Sequence, residues 1–194
     1  EQYKEGLKVV NKVDAKKNTK AYNNNLNLKL KYLNQIGNLN YNFENYPDAL
    51  SAYKKALEIE EELGDLSATS NRLSNIGAIY SLQNNYSLAL EYTQRALEID
   101  EELGNLDGQI TDLSNMGSIY KDQNKYSEAL KWFRKSLQAC EQLNNPSRKI
   151  PDLTDVVEIT IKQGNFAETN KALSELLQIH KKLGNTREAE EIRK

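Results

Sequence analysis

Residues 73–80 read Leu-Ser-Asn-Ile-Gly-Ala-Ile-Tyr, and residues 113–120, which lie 40 positions later, read Leu-Ser-Asn-Met-Gly-Ser-Ile-Tyr. Large apolar residues at positions i, i+3 and i+7 form one stripe of a helix. The glycine on that stripe has no side chain, so a neighbouring helix can approach it closely. The same 40-residue step connects Leu63-Gly64, Leu103-Gly104, Leu143-Asn144 and Leu183-Gly184. The period predicts stacked helical units rather than one globular core.

A second helical segment follows each glycine stripe after a short, Asn-rich turn. In one repeat it carries Ala89, Tyr92 and Ala96, so that small residues alternate with large ones and two helices can interdigitate. Gly and Asn suit a left-handed helix C-cap, and these segments end at Gly64, Gly104, Asn144 and Gly184.

These residues resemble the tetratricopeptide repeat. The spacing is carried by Gly77, Tyr80, Tyr86, Ala89 and Ala96, and it recurs at Gly117, Tyr120, Tyr126, Ala129 and Ser136. The usual period of that repeat is about 34 residues, so both helices are expected to be about a turn longer here. The long form is similar to the repeats of kinesin light chains, spindle-orienting polarity adaptors, peptide-sensing bacterial regulators and segments of some bacterial sensor kinases. The resemblance implies an all-α, right-handed α-solenoid of tandem antiparallel helix pairs.

The resemblance covers residues 27–186 and predicts four repeats, the fourth of them degenerate. The expected organisation is a partial upstream helix at 1–26, repeats at 27–66, 67–106, 107–146 and 147–186, and a capping helix that starts at 187–194. In the fourth repeat Thr160 replaces the aromatic residue and Thr169 replaces the first small Ala. Pro151 is expected to delay or kink the first helix of that repeat.

The charge distribution leaves three interpretations open. The net charge is −2, which argues against nucleic acid as the main partner. Residues 1–40 carry +5, residues 41–104 carry −8 and residues 105–194 carry +1. This pattern is typical of solvated helix faces, but it also fits an acidic patch that selects a basic partner, or head-to-tail self-association.

Composition gives a weaker indication of the cellular compartment. The single Cys140 excludes an internal disulfide and fits a reducing, cytoplasmic environment. No apolar stretch approaches the roughly 18 residues of a membrane span, and no signal peptide is visible. The chain opens with Glu1 in a segment that already reads as helix, which favours a fragment of a longer protein.

The sequence gives little support for catalysis, a metal or a cofactor. His180 lies beside two lysines near the end of the last long helix, where it can satisfy terminal carbonyls. Cys140 and His180 are one repeat apart, and two ligands do not make a metal site. We therefore expect no enzymatic activity, no metal and no cofactor. Trp132 is expected to pack in the core, with exposed recognition as the alternative.

The resemblance implies that the first helix of each repeat lines a concave groove. Asn75 and Asn115 match the position of the Asn that binds peptide backbone in the family, and Gln35 and Asp155 occupy it in the other repeats. The candidate partner-binding residues are Asn34, Gln35, Asn38, Asn71, Ser74, Asn75, Ser114, Asn115, Ser118, Lys121 and Asp155. Amides and hydroxyls can hydrogen-bond an extended peptide with little regard to its sequence. The alternative is a compositional bias, because Asn is frequent throughout the chain.

The sequence therefore predicts a non-catalytic module that binds a protein or peptide. A regulatory or sensory segment of a larger signalling protein is the first alternative, and a self-assembling scaffold is the second.

Overall fold

The computed structural model describes residues 20–192, except for the side chain of Thr186. The expectations for residues 1–19 and 193–194 lie outside this range. Within it, every regular element is a helix. The helices are α1 (Lys20–Asn42), α2 (Tyr46–Leu63), α3 (Leu66–Leu82), α4 (Tyr86–Leu103), α5 (Leu106–Asp122), α6 (Tyr126–Gln142), α7 (Ile150–Lys162), α8 (Phe166–Leu183) and α9 (Thr186–Glu191).

The chain forms two compact units that divide between Ile99 and Asp100, inside α4. In the first unit α2 packs against both α1 and α3. In the second unit α5 packs on α6, α6 on α7, α7 on α8, and α8 on α9. The predicted fold class, an all-α solenoid of tandem helix pairs, is confirmed.

The turns reproduce the 40-residue register in their backbone angles. Positive φ values occur between the two helices of each pair at Glu44, Asn84, Asn124 and Gly164, and between successive pairs at Gly64, Gly104, Asn144 and Gly184. Side chains then cap several of the helices that follow. Asp65 accepts a hydrogen bond from the Ala68 amide, and Asn105 and Asn165 do the same for Gly108 and Glu168. The predicted left-handed turns are confirmed.

The stripe glycines allow close helix packing. A Cβ atom on Gly117 would lie 2.6 Å from the ring of Phe133, which is fully buried. A Cβ atom on Gly37 would likewise overlap the ring of Tyr53, and one on Gly77 would overlap the side chain of Thr93. In the first three pairs, a side chain of the second helix therefore packs directly on the backbone of the first helix.

The fourth repeat differs from the others at the positions that the sequence marks. A 3₁₀ turn over Pro146–Lys149 precedes α7, whose first turn contains Pro151. The predicted delay of this helix is therefore observed. Thr169 donates a hydrogen bond to Thr160 at 2.9 Å, and both side chains are buried. The two buried hydroxyl groups thus act as hydrogen-bond partners for each other.

Candidate functional site

In the first unit, a small pocket opens where α1 and α3 lie side by side. Its walls are Tyr41 of α1, Tyr53 of α2, and Asn75 and Ala78 of α3, and its volume is about 130 Å³. Asn75 and Tyr41 are exposed. We call this pocket and the exposed residues beside it on α1 and α3 the α1–α3 surface. It presents the amide of Asn75 and the phenol of Tyr41 to solvent, and the buried ring of Tyr53 forms its inner wall.

Tyr53 is held in place on this surface by several partners. Its hydroxyl donates to Oδ1 of Asn38 at 2.7 Å, and the guanidinium of Arg72 lies 4.8 Å from its ring centroid. Burial raises the pKa of Tyr53, and the nearby Arg72 charge partly opposes that rise. A fixed ring forms a firm wall for whatever the pocket receives.

Arg72 is the centre of a buried polar cluster beneath the surface. It forms an ion pair with Glu60 at 3.0 Å and donates to Oδ1 of Asn34 at 2.6 Å. Both charged side chains are buried. Removal of one member of such a pair typically costs about 3–5 kcal/mol, because the other charge stays buried without compensation. Asn34 therefore has a structural contact besides any role in binding.

Sequence reasoning missed this cluster. The excess of acidic residues in 41–104 is typical of solvated helix faces, whereas the side chain of Glu60 within that range is 2% exposed. The sequence held one signal, because the apolar Cys140 occupies the equivalent position two repeats after Glu60. In the structure Glu60, Asp100 and Cys140 are all buried. A position that is buried in successive repeats belongs to the packed face, whatever residue it carries.

Three other candidates of the first unit lie close by. Oε1 of Gln35 is buried and accepts no hydrogen bond within the described part of the chain. Asn71 is exposed and donates to the carbonyl of Ser67 at 2.9 Å. Ser74 is half-buried and has an interaction partner.

The second unit has a corresponding surface on α5 and α7, which is more charged. Nζ of Lys121 lies 2.5 Å from Asp155 Oδ1 and 3.2 Å from Glu158 Oε2, and Lys162 pairs with the same Glu158. Burial alone would lower the pKa of Lys121, but the hydrogen bonds and charges of its acidic partners leave it raised. Burial raises the pKa of the neighbouring Asp122. We call these residues, with Asn115 and Ser118, the α5–α7 surface.

Asn115 and Ser118 are half-buried on α5, on this surface. Ser114 is also half-buried, but its side chain contacts residues of α6 and α7. Oγ of Ser114 donates to Asp152 at 3.0 Å and lies 2.9 Å from Oγ of Ser136. Burial raises the pKa of Asp152, and the hydrogen bonds from Ser136 and Ser114 partly oppose that effect. Burial also raises the pKa of Cys140, which makes its thiol less reactive.

The described part of the chain has no cluster of side chains that could bind a metal ion. Within residues 20–192, no three His, Cys, Asp or Glu side chains gather in a way that could hold a metal ion. Nδ1 of His180 lies 3.3 Å from the side-chain amide of Asn185, at the end of α8. No helix of the same range is long and apolar enough to cross a membrane.

Comparison with known sequences identifies the repeat. Models of the tetratricopeptide repeat family match residues 29–102 and 113–148, which together are more than half of the chain. No curated protein sequence matches this chain significantly.

Solved structures show the same fold at low sequence identity. Aspartyl phosphate phosphatase F from Bacillus subtilis is 16% identical with a TM-score of 0.83, over 98% of this chain and 48% of that one. The apo quorum sensor NprR from B. thuringiensis is 18% identical with a TM-score of 0.67, over 98% and 56%. A Rap protein complexed with competence and sporulation factor is 16% identical with a TM-score of 0.55, over 98% and 60%. The chain therefore spans about half the length of these structures. Its repeated helix pairs, the family matches and the shared fold show that it belongs to the tetratricopeptide repeat family.

Proposed function

We propose that this chain is a non-catalytic binding module whose α1–α3 surface holds an extended segment of a protein partner. The observation that carries this proposal is the pocket at Tyr41, Tyr53, Asn75 and Ala78, which has an exposed amide at its rim. An Asn side chain can donate to and accept from one peptide unit at the same time. The tyrosine walls would receive an adjacent apolar side chain.

The α5–α7 surface supports a second binding region of different character. Asn115 provides the equivalent amide, and the network around Lys121 combines three carboxylates with two ammonium groups. This excess of negative charge favours a partner segment with a basic residue at that place.

One experiment tests the roles of both Asn residues. Peptides are selected from a random display library on the wild-type protein, and their affinities are measured by fluorescence anisotropy for Asn75→Ala, Asn115→Ala and the double variant. Loss of the two hydrogen bonds that one Asn side chain can form, of about 1 kcal/mol each, should weaken a peptide on the α1–α3 surface by about 10- to 30-fold in Asn75→Ala, and a peptide on the α5–α7 surface by as much in Asn115→Ala. The double variant should lose binding of both kinds of peptide. Asn170→Ala is the matched control, because Asn170 is exposed on α8 and belongs to neither surface. Equal affinities for the double variant and this control would contradict the proposal.

The second candidate function is a regulatory or sensory segment of a larger signalling protein. Its support is the length of the similar structures, since the chain covers 48% and 56% of two of them, and one of these is described as a quorum sensor. In that case the α1–α3 surface would hold a signalling peptide or another part of the same polypeptide. The sequence of the full-length protein separates this function from that of a free adaptor.

A further inference from the structure

In the second unit, a groove lies between α6 and α8. Its volume is about 290 Å³. Its floor is apolar and comes from Leu137, Leu153, Val156 and Ala172. All of these residues lie outside the α5–α7 surface, so the groove is a separate feature. It is larger than the engineered cavity of about 150 Å³ that takes up benzene in another protein.

The 40-residue period shows which residues occupy the equivalent of this groove in the earlier repeats. Ala172 lies 80 positions after Tyr92 and 40 after Trp132. Thr160 likewise lies 80 positions after Tyr80. In the first unit the rings of Tyr80 and Tyr92 stack with their centroids 5.5 Å apart. The fourth repeat therefore lacks both rings, and the groove lies beside the position where the second ring would stand.

The cation that accompanies these rings is retained. Nζ of Lys54 lies 5.3 Å from the centroid of Tyr80 and 6.0 Å from that of Tyr92. Arg134 is the equivalent of Lys54, 80 positions later, and it lies at the rim of the groove. Its Nη2 is 2.6 Å from Oε1 of Glu168, and its side chain is otherwise largely exposed. A guanidinium stacks on an aromatic face better than an ammonium does.

A second cation closes the other side of the groove. Lys149 is buried, and its Nζ lies 2.9 Å from Glu141 and 2.7 Å from Glu175. Burial alone would lower the pKa of Lys149, but the hydrogen bonds and charges of Glu175 and Glu141 outweigh it. The apolar floor is thus framed by paired charges, which suits an occupant that is flat and apolar with a polar edge.

We propose that this groove binds an aromatic side chain, Tyr or Trp, presented by a partner protein. The ring lies on Leu153 and Val156, against Ala172 and under the guanidinium of Arg134. In this arrangement the partner supplies the ring that Tyr92 supplies within the first unit. The inference does not depend on the α1–α3 surface, so each can fail without the other.

Short capped peptides test the proposal directly. Acetyl-Gly-Tyr-Gly-amide is titrated into the ¹⁵N-labelled protein, and amide shifts are followed for Val156 and Ala172. The expected result is saturable binding at a dissociation constant on the order of 1 mM, as suits one side chain. The same peptide with cyclohexylalanine in place of Tyr has the shape without the π face, and it should bind several-fold more weakly. Equal binding of the two peptides would overturn the aromatic assignment. Binding of free 4-methylphenol without binding of the Tyr peptide would overturn the assignment to a protein partner.

Two substitutions locate the binding in the groove. Ala172→Tyr places a ring where Tyr92 stands in the first unit, so it should abolish binding and raise the thermal unfolding midpoint. Gln178→Tyr, at an exposed position of the same helix, is the matched control and should bind as the wild type does. Should Ala172→Tyr not fold, Ala172→Leu fills part of the groove and should weaken binding at least several-fold. Unchanged binding by either folded Ala172 variant would overturn the proposal.

A further variant tests the cation. Arg134→Gln leaves the floor of the groove intact. It should weaken binding of the Tyr peptide about three- to tenfold, and it should leave binding of the cyclohexylalanine peptide unchanged. Glu168→Gln removes the ion-pair partner of Arg134 without removing the cation, so it should preserve the preference for Tyr. An equal loss for both peptides in Arg134→Gln would contradict the role of the guanidinium.

Discussion

Gly117 illustrates how single residues set the distance between helices. The ring of Phe133 fills the space that a Cβ atom on Gly117 would take, and Phe133 itself is fully buried. Because protein interiors are close-packed, a change of volume at either position affects the other. The same coupling joins Gly37 to Tyr53, a wall of the candidate pocket.

We expect Gly117→Ala to lower the free energy of unfolding by about 1–3 kcal/mol. Ala has the higher helix propensity by about 1 kcal/mol, but the overlap with Phe133 should outweigh that gain. Urea unfolding followed by circular dichroism measures the difference. Ser127→Ala, at an exposed position of α6, is the control and should change stability by less than about 0.5 kcal/mol. A Gly117→Ala protein as stable as the control would show that the core accommodates the methyl group.

Asp152 leads to an expectation about pH. Burial raises its pKa in the folded protein, so the folded state binds the proton more tightly than the unfolded chain does. The stability of the wild type should therefore increase, through this group, as the pH falls from about 7 towards the usual Asp pKa of about 3.9. Asp152→Asn removes the titration and keeps an acceptor for Ser114.

The measurement is the stability difference between Asp152→Asn and the wild type at several pH values, which cancels the titration of the other groups. Asp152→Asn should be relatively most favourable near neutral pH, and its advantage should shrink as the pH falls. Glu128→Gln, an exposed carboxylate on α6, serves as the control. A difference that is independent of pH would rule out a raised pKa at Asp152.

At the scale of elements, the 40-residue period is clearest in the turns, where a positive φ recurs at equivalent positions. Three of the four turns within helix pairs use Asn or Gly at the left-handed position, and the first uses Glu44 at φ 56°. A left-handed backbone costs about 1–2 kcal/mol for most residues, while Gly adopts it freely and Asn tolerates it.

Replacement of Glu44 by Gly should therefore stabilise the protein by about 1 kcal/mol, after allowance for the greater freedom of Gly in the unfolded chain. Asn84→Gly at the equivalent turn is the matched control, and its effect should be close to zero. Thermal unfolding of both variants measures this. The explanation fails if the two substitutions have the same effect.

The elements also show where sequence reasoning succeeded and where it could not. The 40-residue step was sufficient to predict the helices, the left-handed turns and the effect of Pro151, since each depends on local backbone preference. The pairing of Thr160 with Thr169 was not predicted, although both residues were recognised as unusual. A contact between two helices depends on the three-dimensional packing, which periodicity does not specify.

The same limit applies to the candidate site. The sequence placed Asn75 and Asn115 on one helix face, and Asn75 lines a pocket there. It could not show that Ser114 bonds Asp152 or that Asn34 bonds Arg72, because those partners lie 38 residues further along the chain. Whether the Asn-rich face binds a peptide stays a prediction.

At the scale of the whole molecule, the uneven charge distribution predicts salt-dependent behaviour. The net charge of residues 1–40 is +5 and that of residues 41–104 is −8. If the first segment of one copy binds the second segment of another, the protein should self-associate at low ionic strength. Light scattering at about 0.02 M and about 0.5 M salt measures this, because exposed charge pairs are screened beyond a few ångströms at high salt. A monomer under both conditions would exclude the idea, and association that grows with salt would indicate apolar contacts.

The positive-φ turns recur every 40 residues, at Gly64, Gly104, Asn144 and Gly184. A gene segment copied or lost between two of these points changes the polypeptide by one whole hairpin and leaves each stripe glycine opposite the side chain that packs on it. Evolution can therefore adjust the length of such an array by unequal recombination, without first having to redesign the interior.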